Sequence, residues 1–210
     1  MIVYGSSLSP FVRKTLAFGA EKGLALENKV SAPGSPDPEF LACSPFKKIP
    51  GFKDGDFQIS DSTAIITYLD ALHPEPNLIP LDPRNRARAI WFEEFADTLM
   101  VAAAGPLFFN RIVGPRFMGV ATDQAICAKA ENETLPPLLD YLERTIPESG
   151  FLLEDRLTLA DIAVASPFAN LGHLGFDLSR WPKTKAYTAA ILARPSFAHW
   201  IEREKRFLGG

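Results

Sequence analysis

Three hydroxyls crowd one turn near the start of the chain: Ser6, Ser7 and Ser9, in Gly5-Ser6-Ser7-Leu8-Ser9-Pro10. A short apolar run, Ile2-Val3-Tyr4, precedes the turn, and Phe11, Leu16 and Phe18 follow it in a helical pattern. Proline is pre-organised for the first position of a helix and serine is a preferred cap before it, so Ser9-Pro10 opens a helix. A helix start carries unpaired N–H groups and the positive end of the peptide dipoles. Hydroxyls gathered there can hold a thiolate or a carboxylate. They can equally do no more than cap the helix.

A second such start lies at Ser60-Asp61-Ser62, ahead of the apolar series Ala64, Ile65, Tyr68, Leu69 and Leu72. Between the two stands Lys47-Lys48-Ile49-Pro50, two cations before an X-Pro bond. Such bonds are mostly trans in folded proteins, so the residues alone predict an ordinary strand-entry proline. Metal chemistry has no support: Cys43 and Cys127 form no CxxC, and His73, His173 and His199 are scattered. No base near Ser9 in sequence points to a Ser-His-Asp arrangement.

These groups must be positioned by a chain of 210 residues, 47% hydrophobic and 22% charged, which is globular composition for one large or two small domains. A net charge of -3 gives no reason to expect nucleic acid or an anionic membrane as partner. No apolar stretch is long enough to span a bilayer, and a strand beginning at residue 2 leaves no room for a signal peptide. A cytoplasmic protein with both thiols reduced is expected.

The helix from Ser9 should run to Glu21-Lys22 and stop at Gly23. Residues 24–30 alternate as a second strand, and a loop and a short helix at Glu39–Cys43 follow. Ile49–Phe52 and Phe57–Ile59 form strands around an Asp54-Gly55 turn, and a helix starts at Asp61-Ser62. The order βαβ, then a short helix, then ββα is the thioredoxin arrangement in about 80 residues. The proline-rich stretch after His73 reads as a linker, which sets domains at 1–76 and 83–210 with residues 77–82 between them.

The second half reads as all-α. Asp82-Pro83 caps a long helix carrying Ile90, Trp91, Phe92, Phe95, Leu99 and Met100. Gly105-Pro106 should kink or end it, and Gly114-Pro115 should break the chain again. Another helix spans about Thr122 to Arg144, interrupted at Pro136-Pro137. Leu157-Thr158-Leu159-Ala160-Asp161-Ile162 has the pattern of a capping box with a hydrophobic staple. Trp181-Pro182 and Arg194-Pro195 open two more helices. Arg84 and Arg88 share a helix face that is either solvated or a subunit contact.

Four stretches carry a resemblance: Ser9-Pro10-Phe11-Val12-Arg13, Ser44-Pro45 followed by Lys47-Lys48-Ile49-Pro50, Asp61-Ser62-Thr63-Ala64-Ile65, and the cap-and-staple motif at 157–163. In this order along nearly the whole chain they resemble the cytosolic glutathione transferase family, in a serine-type, bacterial-like form. The resemblance implies a thioredoxin-like glutathione-binding domain followed by an all-helical one, a homodimer, and glutathione as co-substrate with no metal. It implies a cis bond at Ile49-Pro50, with the Ile49 backbone pairing the cysteinyl part of glutathione. It implies that Ser62 holds the γ-glutamyl carboxylate, that Asp61 faces the γ-glutamyl ammonium, and that Lys47 and Lys48 meet the glycine carboxylate. It counts Phe11 and Pro50 among the glutathione-binding residues as well.

The residue that activates the thiol is chosen by position. Tyrosine-using classes place their tyrosine after the first strand, whereas Tyr4 lies inside it; that position falls near Ser6 or Ser7. Ser9, four before Arg13, matches the serine-using classes, and Ser-Pro-Phe stands where cysteine-using classes have Cys-Pro-Phe. A free thiol has a pKa of about 8.5, and lowering it two units takes roughly 2.7 kcal/mol of preference for the thiolate. A serine O–H donated to sulfur and a helix N-terminus can supply it. The implied reaction conjugates glutathione to a small hydrophobic electrophile, with Trp91, Phe95, Phe108 and Phe109 as pocket candidates, although aromatics at helical spacing more often fill cores. Other glutathione chemistry on the same site, such as peroxide reduction, dehalogenation, isomerisation or ether cleavage, is the alternative; a binding or regulatory protein on the same fold is another.

Overall fold

The apolar run after Met1 forms a three-residue strand, β1 (Ile2–Tyr4), inside a four-stranded sheet. The computed structural model describes residues 1–209. β2 (Glu27–Lys29) pairs parallel to β1, and a parallel pair needs a crossover, which α1 (Pro10–Glu21) supplies. β3 (Gly51–Asp54) pairs antiparallel to β1, with Val3 opposite Phe52, and β4 (Phe57–Ser60) closes a hairpin on β3. Gly55 turns that hairpin at φ 60°, as the Asp-Gly pair predicts. The strand expected over 24–30 shortens to three residues, because Leu26 leaves the sheet to lie over Gly19 of α1.

α2 (Pro38–Cys43) packs Phe40 and Cys43 against Tyr4, Ile2 and Ile49. α3 (Ser62–Leu72) packs against α1. The thioredoxin arrangement expected for this half is the one observed.

Met1–Leu81 forms one compact unit together with the chain from Arg194 onward; Asp82–Ala193 forms another. The second is wholly helical among the described residues. α4 (Pro83–Glu94) begins where Asp82 Oδ1 accepts the N–H groups of Arg84 and Asn85. The expected break at Gly105-Pro106 is not there. The helical chain continues through a π-helical stretch (Phe95–Met100), α5 (Val101–Phe108) and a second π-helical stretch (Phe109–Met118). Pro106 lies inside α5, and Pro115 lies inside the second π-helical stretch, where each N–H reaches back five residues. Asn110 Nδ2 also donates to the Pro106 carbonyl at 2.9 Å. The stop comes later, at Gly119, which takes the left-handed φ of 64°.

α6 (Gln124–Lys129) and a π-helical stretch (Ala130–Thr134) lead into α7 (Leu135–Thr145). Pro136-Pro137 fall in its first turn, where a missing N–H costs no helical bond. α8 (Leu159–His173) is buried at every position from Leu159 to Leu171, and α4 packs along it. α9 (Pro182–Leu192) follows, packed on α8.

α10 (Pro195–Phe207) packs along α1. Ion pairs at both ends explain the placement. Arg13 meets Glu204, and Arg194 meets Glu21. Buried Phe197 adds apolar contact.

Candidate active site

The turn after β1 is shaped by Gly5. Its φ is 147°, and a Cβ there would lie 2.6 Å from Val12 Cγ2 and 3.1 Å from Ile49 Cβ. Only glycine lets the chain pass so close, and the passage sets the serine turn directly against Ile49. The Gly5 N–H donates to the Lys29 carbonyl at 2.9 Å, and Asn28 Nδ2 donates to the Gly5 carbonyl at 2.9 Å.

Ser9 holds the cap position of α1 with extended backbone, but its side chain makes no capping bond. Its N–H donates to the Ser6 carbonyl at 3.0 Å, and its carbonyl accepts the Arg13 N–H at 2.9 Å. The half-buried hydroxyl therefore stands uncommitted at the positive end of the helix. The Ser6 hydroxyl accepts the Leu8 N–H at 3.4 Å, and Ser7 is buried. Tyr4 is fully buried and donates its O–H to Glu39 at 3.3 Å. Burial first, then the Glu39 charge, raises the Tyr4 phenol above its ordinary value, which suits it poorly to stabilise an anion. Cys43 is buried beside Ile49, and burial pushes its thiol up as well.

The Ile49-Pro50 peptide bond is cis. Ile49 precedes β3, and its N–H and C=O take part in none of the turn hydrogen bonds among the described residues. Ser44, buried before Pro45, fixes this loop: its Oγ donates to the Lys48 carbonyl at 2.6 Å and accepts the Lys48 N–H at 3.1 Å. Lys47, at a left-handed φ of 59°, and Lys48 both have exposed side chains. Phe11 is half-buried in the first turn of α1.

At the start of α3, Asp61 takes the unusual φ of 82° and caps the helix. Its Oδ1 accepts the N–H of Thr63 at 2.9 Å and of Ala64 at 3.2 Å. Those two donors are thereby satisfied. The Ser62 N–H and hydroxyl have no partner among the described residues, although the residue is 2% exposed. An anion arriving here finds two unspent donors and a helix N-terminus.

Of the apolar candidates, Trp91 is exposed and stacks on buried Phe95 with ring centroids 5.7 Å apart. Tyr141 meets both rings. Phe108 is buried as a core residue, while Phe109 is partly open and lies against Gly114. Among the described residues no group of three His, Cys, Asp or Glu side chains could hold a metal ion.

Two arrangements escaped the sequence. One is the close approach of Gly5 to Ile49; the unusual Gly-Ser-Ser turn was its only signal. The other is the burial of Arg13, 0% exposed, on Glu204, 191 residues away.

Comparison with known proteins places this geometry. A family model described as "Glutathione S-transferase, N-terminal domain" matches residues 3–77, and one described as "Glutathione S-transferase, C-terminal domain" matches residues 116–204. A glutathione S-transferase of Hyoscyamus muticus is 32% identical over 96% of this chain and 98% of its own. Glutathione S-transferase 3 of Zea mays is 32% identical over 93% of this chain and 90% of its own. The crystal structure of glutathione S-transferase I from maize, in complex with an atrazine glutathione conjugate, superposes with a TM-score of 0.84 at 25% identity, covering 96% of each chain. With both halves matched in order and a relative aligned almost end to end, the chain belongs to the glutathione S-transferase family.

Proposed function

We propose that this chain is a serine-type glutathione transferase in which Ser9 donates its hydroxyl proton in a hydrogen bond to the glutathione thiolate. The observation that carries the reading is the uncommitted Ser9 hydroxyl, at the start of α1 and in the same turn that touches Ile49. Ile49 receives the cysteinyl backbone through its N–H and C=O, as one rung of a β-ladder. The Ser62 N–H and hydroxyl hold the γ-glutamyl carboxylate. Asp61 has one oxygen committed to the α3 cap and turns the other to the γ-glutamyl ammonium. Lys47 and Lys48, both exposed, reach the glycine carboxylate.

The thiol loses its proton to solvent, and the Ser9 O–H and the α1 dipole stabilise the thiolate left behind. The sulfur lone pair then forms a C–S bond at an electrophilic carbon, and the leaving group departs with the bonding pair. Holding both reactants together removes much of the entropic barrier. The electrophile is a small hydrophobic one. A maize relative bound to an atrazine glutathione conjugate supports conjugation over the other glutathione reactions.

The protein works as a cytoplasmic homodimer on this reading. Phe46, 84% exposed beside the Ile49 loop, is an apolar surface that a second copy would cover, and the buried cysteines are unpaired. Titration with glutathione, followed by assays of chloronitrobenzene conjugation and peroxide reduction, tests the proposal. Saturable binding with conjugation is expected; no binding at millimolar glutathione contradicts it.

A further inference from the structure

We infer that Glu204, on the last helix, is a positioning residue for catalysis: it clamps Arg13 one turn beyond Ser9 and thereby sets where the Ser9 hydroxyl stands. This rests on the serine-type reading above. Arg13 closes the first helical hydrogen bond of α1, its N–H donating to the Ser9 carbonyl at 2.9 Å. Its guanidinium makes a two-point contact with Glu204, Nε to Oε1 at 3.0 Å and Nη2 to Oε2 at 2.8 Å. The two side chains are 0% and 1% exposed. A planar fork on a carboxylate is directional, and in a water-free setting it does not exchange with solvent.

Ser9 itself has no capping bond to hold it, so its hydroxyl is placed by backbone alone. Pro10 fixes one dihedral of that backbone, and the Arg13 anchor fixes the turn that follows.

The pairing has a pattern. α1 and α10 lie antiparallel, and each carries an arginine toward its start and a glutamate toward its end. Arg13 meets Glu204 at the serine end, while Glu21 meets Arg194 and Ser196 at the other. Lys22 ties that far end to Asp70 and to the carbonyls of His73, Pro74 and Pro76. The far end is thus held by several contacts partly in water, whereas at the serine end a fully buried, two-point pair reaches across from the last helix. A helix included only for stability has no reason to place its one fully buried carboxylate there.

Three variants test this. Arg13→Met with Glu204→Met replaces the pair by apolar chains of similar length, an exchange that folded proteins commonly tolerate. Glu204→Asp keeps the charge and shortens the reach. Glu21→Gln breaks the far-end pair as a control. The readouts are the pKa of the bound glutathione thiol, from thiolate absorbance against pH, and kcat and KM separately.

In the double variant the thiol pKa is expected to rise by about one unit and kcat to fall about tenfold, with KM for glutathione nearly unchanged. Glu204→Asp should move both in the same direction by less, and it decides the matter if the double variant does not fold. Glu21→Gln should lower the melting temperature and leave the thiol pKa alone. A wild-type thiol pKa and kcat in Glu204→Asp or in the folded double variant would overturn the inference, as would an equal shift in Glu21→Gln. If the wild-type protein binds glutathione without lowering its thiol pKa, the serine-type reading fails and this inference with it.

Discussion

At the scale of single residues, the proposed reading gives two helix starts the same physical work on two charges of one ligand. At α1 the serine hydroxyl makes no capping bond, which on that reading leaves it for sulfur; at α3 Asp61 takes the two amides after Ser62, which leaves the Ser62 N–H and hydroxyl for a carboxylate. Losing one hydrogen bond to a charged group costs about 1.5–3 kcal/mol. Ser62→Ala should therefore weaken glutathione binding about tenfold or more and leave the thiol pKa of the bound form unchanged; equal affinity by calorimetry would refute the carboxylate contact. The helix starts at Ser9 and Asp61 were legible because short turn motifs carry them. Gly5 was not, since a sequence shows that a glycine bends but not which side chain it must avoid.

At the scale of elements, helix ends were readable and helix interiors less so. Gly23, Asp82-Pro83 and the Asp54-Gly55 turn each name a local conformation, and the chain follows them. Pro115 misled because a proline is read as a break when the ladder is assumed to reach back four residues, and the π turns around it remove that assumption; Pro106 is carried inside α5 itself. The start of α8 shows a local signal carrying a tertiary load. Asp161 accepts the Thr158 N–H at 2.8 Å and hydroxyl at 3.0 Å, as the capping pattern predicts, and also the Leu152 N–H at 2.8 Å and the Tyr187 O–H at 3.1 Å. Asp161→Ala strands those buried donors. A loss of about 3 kcal/mol or more follows, which for a chain of this size is a fall of roughly 6–12 °C in melting temperature. The protein that remains folded should keep its kcat; a melting temperature within a degree or two of the parent would show the network to be dispensable.

At the scale of the molecule, long-range charge pairing closes the fold, and no local pattern announces it. Nothing in the sequence tells Arg13 to choose Glu204. Such pairs leave a trace in acid. Burial pushes the Glu21 carboxyl up, but its hydrogen bonds to Arg194 and Ser196 outweigh that and hold it below the ordinary range. Burial likewise acts on Glu143, and the Thr184 and Lys183 N–H groups outweigh it. A carboxylate with a depressed folded pKa stabilises the fold fully above its unfolded value, about 4.3, and loses that contribution as pH falls through the folded value. The melting temperature should thus decline on acidification below that value, and Glu21→Gln should flatten part of the decline; parallel curves for the two proteins would contradict the assignment. Whether a serine hydroxyl at the start of α1 holds a thiolate is decided by titrating the thiolate absorbance of bound glutathione in the parent and in Ser9→Ala. The thiol pKa should lie below its free value of about 8.5 in the parent and rise by about one to two units in Ser9→Ala, with glutathione affinity nearly intact. Identical titrations in the two proteins would contradict it.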